Sequence, residues 1–185
     1  MSDSLQEIFT TARKVGADVV PLAGAEAAAT YLREKAGGTV LLPPSPSLDR
    51  LGLAAALRAK GCDVIEAGFR THAPAAAAGV TGACFALADT GTVVLHSTDE
   101  AVRLATTLPE RHFVLLDPAK ILPGIEAATA PQRELHRRQP RGFLAYVTGP
   151  SRTADIERVL TIGVHGPREL HVLLVEGLSK DALEM

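Results

Sequence analysis

Two glycine-proline loops in the last third of the chain hold most of the groups that can do chemistry. The first reads Gly149-Pro150-Ser151-Arg152-Thr153-Ala154-Asp155-Ile156-Glu157 and the second Gly163-Val164-His165-Gly166-Pro167. Hydroxyls and charges beside glycines suit a backbone that closes around a carboxylate or another small anion. If a helix starts near Thr153, the N–H groups of its first turn and the Arg152 guanidinium would hold that anion. Asp155 and Glu157 would repel it. That leaves a second reading, in which Ser151 or Thr153 caps the helix and the two acids complement its dipole. His165, between glycines, is a candidate for proton transfer near neutral pH, or else the histidine of a tight turn bonded to a carbonyl.

A third cluster lies upstream: Thr81-Gly82 and Ala88-Asp89-Thr90-Gly91-Thr92. Asp-Thr-Gly after an apolar strand also marks aspartic proteases, but those need two such aspartates sharing a proton, and this chain has one copy. A hairpin turn, with Asp89 bonding the turn backbone and Gly91 at positive φ, is the simpler reading. The other is a hydroxyl-lined edge of the same pocket as the loops. His72, His96, His112, His136 and His171 are scattered without metal-ligand spacing, so no metal site is assigned. Arg133, Arg137, Arg138 and Arg141 form a basic patch too small to argue for nucleic acid.

The elements that must position these groups alternate. Apolar spacing predicts helices over 4–15, 24–35 and 48–60, with short strands at 39–42 and 63–66. Strands at 83–87 and 92–95 flank the Asp-Gly turn as a hairpin. A short helix at 101–108, a strand at 113–116, a long helix over 123–138, and strands at 143–147 and 170–175 follow. The closing residues 177–185 are polar and expected to fray. The pattern predicts an α/β fold with a mostly parallel sheet covered by helices. It is expected to form one domain over 1–185, helix-rich over 1–70 and signature-bearing over 80–176.

Bulk composition narrows the function classes. The 19 basic and 21 acidic residues of this 185-residue chain give a net charge of −2, which argues against nucleic-acid binding as the main task. Cys62 and Cys84 form no CxxC, so a cysteine-built zinc or iron-sulfur site is not expected in this chain. No GxGxxG follows a strand, so no nicotinamide or flavin fingerprint is present. The opening Met1-Ser2-Asp3-Ser4 is not a signal peptide, and no apolar run approaches the ~20 residues that span a bilayer. A cytoplasmic protein is expected.

Taken together, Thr81-Gly82, the run Ala86-Leu87-Ala88-Asp89-Thr90-Gly91-Thr92, both Gly-Pro loops and Leu170-His171-Val172 resemble the LUD domain, in the stand-alone form of the lactate-utilisation protein C family. The resemblance is strongest from Val80 to Glu176. It implies a fold similar to that of sugar-phosphate isomerases and CoA transferases. Family members of this type are associated with oxidation of L-lactate to pyruvate, beside larger partners with cysteine-rich iron-sulfur motifs. The resemblance therefore implies an accessory or regulatory subunit with no cofactor of its own and with iron-sulfur clusters in its partners. Carried onto this sequence, it gives Asp89 and His165 as candidates for proton transfer. Thr81, Gly82, Thr90, Gly91, Thr92, Gly149, Ser151, Arg152, Thr153, Asp155, Glu157, Gly163 and Gly166 would then surround a small carboxylate or phosphorylated ligand. The alternative is a stand-alone isomerase or transferase acting on a sugar phosphate or CoA ester, although neither Glu66 nor Glu176 has a glycine-rich companion.

Overall fold

The computed structural model describes residues 3–154 and 160–185. In chain order its helices are α1 (Asp3–Lys14), α2 (Gly24–Ala36), α3 (Pro46–Leu51), α4 (Leu53–Ala59), α5 (Phe69–His72), α6 (Glu100–Thr107) and α7 (Ile125–Arg138). The strands are β1 (Ala17–Leu22), β2 (Val40–Leu41), β3 (Val64–Ile65), β4 (Ala78–Gly82), β5 (Phe85–Leu87), β6 (Thr92–His96), β7 (Arg111–Leu116), β8 (Ile121–Leu122), β9 (Leu144–Val147), β10 (Arg152–Ala154), β11 (Leu160–Ile162) and β12 (Glu169–Val175).

Six strands form an all-parallel sheet in the order β1-β12-β7-β4-β2-β3. Parallel strands must be covered on both faces, and their side chains here are apolar on both. On one face Val80, Phe113, Leu115, Leu173 and Val175 pack against Ala28, Ala29 and Leu32 of α2, Leu48 of α3, and Leu53 and Leu57 of α4. On the other, Val19, Val114, Leu116, Val172 and Leu174 meet Ile8 and Ala12 of α1 together with Ala86, Val93 and Leu95. These last residues belong to a second sheet, β8-β5-β6-β9. Its outer face, Phe85, Leu87 and Val94, is closed by Ala128 and Leu135 of α7.

The α/β class and the parallel sheet agree with expectation, but the cover is more than helical. The hairpin of β5 and β6 is present and antiparallel. It grows into a four-stranded layer because β8 and β9 pair with its two edges. Two strands of the six-stranded sheet escaped the sequence reading. β1 carries Asp18 and Pro21, which break the apolar pattern; at a sheet edge a proline is tolerated. β4 is Ala-Gly-Val-Thr-Gly, too small and polar to announce a buried strand. The expected helix over 48–60 is two helices, split at Gly52, whose φ of 71° ends the first. The helix anticipated near Thr153 is replaced by strand: Arg152–Ala154 pair antiparallel with Leu160–Ile162.

The closing residues are packed, contrary to the expected fraying. Leu178 is buried, and Met185 packs against both the sheet–sheet core and the α7 core. Ser47 N donates to Met185 O at 3.1 Å, and the His96 N–H meets Met185 Sδ at 3.0 Å. Polarity misled here because a few apolar side chains, Leu178, Ala182, Leu183 and Met185, pack on the core while main-chain bonds hold the rest.

Gly79 marks the closest approach of helix to sheet. A Cβ there would lie 1.8 Å from the Ala105 carbonyl oxygen of α6. Gly79→Ala is therefore expected to destabilise the fold by about 3 kcal/mol. That corresponds to a fall of about 10 °C in melting temperature for a chain of this size. Gly52→Ala, with nothing within 4 Å, should cost about 1 kcal/mol through its backbone conformation alone. Thermal melts of the two variants check the difference.

Candidate functional site

The two Gly-Pro loops are fastened to each other by main-chain bonds. Ser151 N donates to Pro167 O, and Gly163 N donates to Ser151 O, both at 2.8 Å. They enclose a cavity of about 220 Å³ lined by Thr148, Gly149, Ser151, His165 and Gly166. Thr106 and Thr107 at the end of α6, Tyr146 of β9, His112 and Leu170 complete it. His112 and Leu170 stand near the first residues of β7 and β12, so the cavity opens at the amino end of the parallel sheet.

His112 is the floor of this cavity. It is buried and hydrogen-bonded through Nε2 to Thr81 Oγ1 at 2.9 Å. Burial drives its pKa down to about 3, so the imidazole is neutral at physiological pH. Sequence reasoning passed over His112; the available signal was a histidine inside an otherwise apolar strand.

The hairpin cluster joins the cavity through hydroxyls. Thr148 Oγ1 and Thr92 Oγ1 are 2.8 Å apart, and Thr92 shares a second 2.8 Å bond with Thr90. The turn itself is tied to α1: Thr11 Oγ1 donates to Ala88 O at 2.6 Å, and a Cβ at Gly91 would strike the Ala12 main chain. Asp89 is exposed and lies beside Gly124, where α7 begins.

The structure thus gathers Gly149, Ser151, His165 and Gly166 in one place, with Thr81 beneath them through His112 and with Thr92 and Thr90 at the margin. It does not gather the rest. Gly82 lies at the opposite, carboxyl end of β4 against Met185. The Arg152 guanidinium lies against Gly149 and Gly16 and does not line the cavity. Thr153 is exposed in β10, and Gly163 abuts the Arg168 side chain. Asp155 and Glu157 fall outside the described residues. With β10 a strand and no helix starting there, the expected helical anion cradle is absent at 152–154.

Beside the cavity the surface is apolar. Leu160 is 61% exposed, and Ile162 and Val164 are 46% exposed each. Tyr146, a cavity wall, is also exposed. Among the described residues no three His, Cys, Asp or Glu side chains converge as a metal ion would require. No described helix is long and apolar enough to cross a membrane.

The neutral His112 makes stability depend on pH. Its folded pKa lies below the unfolded value near 6.5. Above that value neither state binds the proton; below it the unfolded chain does and the folded chain refuses it. Stability is then expected to fall by about 1.4 kcal/mol per pH unit from this residue, from roughly pH 6.5 down toward 3. His112→Gln should remove that slope while retaining a partner for Thr81, as denaturant titrations at pH 7 and 5.5 would read.

Comparison with known proteins places the chain. The LUD domain model matches residues 5–175. The chain is 30% identical over 181 residues to Lactate utilization protein C of Geobacillus kaustophilus, covering 85% of this chain and 72% of that one. Identity is 29% to the protein of the same name from Halalkalibacterium halodurans, over 95% of this chain and 77% of the other. A crystal structure of a DUF162 family protein from Deinococcus radiodurans shares the fold, with a TM-score of 0.65 at 21% identity over 95% and 99% of the two chains. On this match and these relatives, the chain belongs to the LUD domain family.

Proposed function

We propose that this protein is an accessory subunit of a lactate-utilisation system, and that the face formed by residues 148–153 and 160–167 docks onto iron-sulfur partner proteins that carry the electrons of L-lactate oxidation. The observation that carries the reading is similarity to proteins named Lactate utilization protein C, which extends over 85% and 95% of this chain. The chain's two cysteines are fewer than the four thiolates a typical cluster takes, which is in keeping with a subunit that supplies structure or regulation.

The loop face suits docking better than anion capture. The strong cation expected there, Arg152, is turned against Gly149 and Gly16. The cavity's polar lining is hydroxyl and imidazole, with His112 neutral. A polar-rimmed recess beside exposed Leu160, Ile162 and Val164 is the kind of surface that a partner side chain enters while the apolar margin excludes water.

The test is a tagged pull-down from cells grown on lactate, with co-purifying proteins identified by mass spectrometry. Iron-sulfur partners should be recovered with the native chain. The paired substitution Ile162→Asp and Val164→Asp should lower their recovery about tenfold or more, while the melting temperature stays unchanged because both side chains are on the surface. Recovery of the native chain alone would sink the complex and turn attention to a separate enzyme.

A further inference from the structure

The strand order of the parallel sheet reverses between β2 and β4, since β3 lies outward on one side and β7 and β12 on the other. In open α/β sheets the carboxyl ends of the strands at such a reversal frame a crevice for ligands. Here the crevice is filled from within. Residues 178–185 run across it, with the Met185 main chain against Gly82, the last residue of β4.

Beneath this segment lies Lys120, which is only 3% exposed. Its ammonium donates to Ala83 O and to Glu184 O, both at 2.7 Å. The Glu184 carboxylate turns the other way and pairs with Arg50 of α3. A single residue of the segment thus offers one oxygen to each of two cations drawn from separate parts of the fold. Asp117, at the end of β7, leaves one buried carboxylate oxygen without a partner. Outside the segment an open groove of about 690 Å³, lined by Pro44, Pro46, His96, Glu184 and Met185, leads to solvent.

We infer that this crevice is a binding site for a short dicarboxylate, with Lys120 and Arg50 as its cations and residues 178–185 as a displaceable occupant. The ligand class follows from the groups now in place. The Glu184 side-chain carboxylate and its own carbonyl are joined by the same carbon skeleton as glutarate, so a dicarboxylate of that length reproduces both contacts. Only Leu178 in the segment is fully buried, and residues 182–185 are half-buried against the core. The occupant and the ligand compete for the same two cations, so binding and release of the segment are a single event.

The test compares the native chain with one loosened by Glu184→Ala and Met185→Ala. Glutarate binding by calorimetry should be about tenfold tighter or more in the loosened chain. Amine acetylation read by mass spectrometry should spare Lys120 in the native chain while modifying the exposed Lys14, Lys35 and Lys180. It should reach Lys120 in the loosened chain, and glutarate should block it there. Arg50→Gln in the loosened chain keeps the fold, since Arg50 lies largely at the surface; it should weaken glutarate about tenfold or more. The inference is overturned if glutarate fails to protect Lys120, if Lys120 stays unmodified after loosening, or if Arg50→Gln leaves affinity unchanged. Equal or tighter binding of L-lactate or inorganic phosphate would overturn the dicarboxylate assignment.

Discussion

Main-chain polar groups taken out of water must find partners, and the buried Ala83 and Cys84 meet that demand at the join of two sheets. Here the chain leaves the parallel sheet after β4 and enters the smaller sheet as β5, with no room for a loop. Ala83 N bonds Leu115 O in one sheet, and Cys84 N bonds Val94 O in the other, at 3.0 and 2.8 Å. The remaining Ala83 carbonyl takes the Lys120 ammonium. Burial lowers the lysine's pKa, while the neighbouring Asp117, Glu184 and Asp181 work to keep it charged. Burial likewise pushes the Cys84 thiol up to about 11, which keeps it an uncharged, inert occupant of the core. This crossing, together with the apolar core shared by the two sheets, fixes their relation and with it the hairpin and the loops that rest on them.

The sequence was most legible where local chemistry and burial agree. The helix at 4–15 shows its buried Ile8 and Ala12 by spacing alone, and the Asp-Thr-Gly turn shows itself by composition. It was least legible where long-range contacts decide. Nothing local to Arg152-Thr153-Ala154 says strand; its partner Leu160-Thr161-Ile162 does. Likewise Thr81 reads as a loop hydroxyl until β7 brings His112 to it. Lys120 reads as an ordinary surface lysine in Asp117-Pro118-Ala119-Lys120, and only the return of residues 178–185 buries it. The family pattern was visible because the order of its residues along the chain, in strands and loops alike, can be read without knowledge of the fold.

The two ends of the parallel sheet are differently equipped. The amino end carries the Gly-Pro loops, a small cavity over a neutral imidazole, and exposed apolar residues. The carboxyl end carries the buried cation, an orphaned carboxylate oxygen and a segment held by main-chain bonds. The docking face proposed above and the inferred dicarboxylate crevice thus lie at opposite ends of the sheet.

The pairing of β1 also sets an order of assembly. Its one neighbour in the sheet is β12, with Ala17 opposite Leu170 and Leu22 opposite Val175. During synthesis β1 leaves the ribosome before the other strands of this sheet, and its partner leaves after them. Until then α1 and β1 have no sheet to join, and the apolar faces of Ile8, Ala12 and Val19 stay open to chaperones or to other nascent chains. Closing so long a loop is slow, and the contact rewards it only at the end. The β1–β12 ladder is thus the clasp of the fold, fastened last.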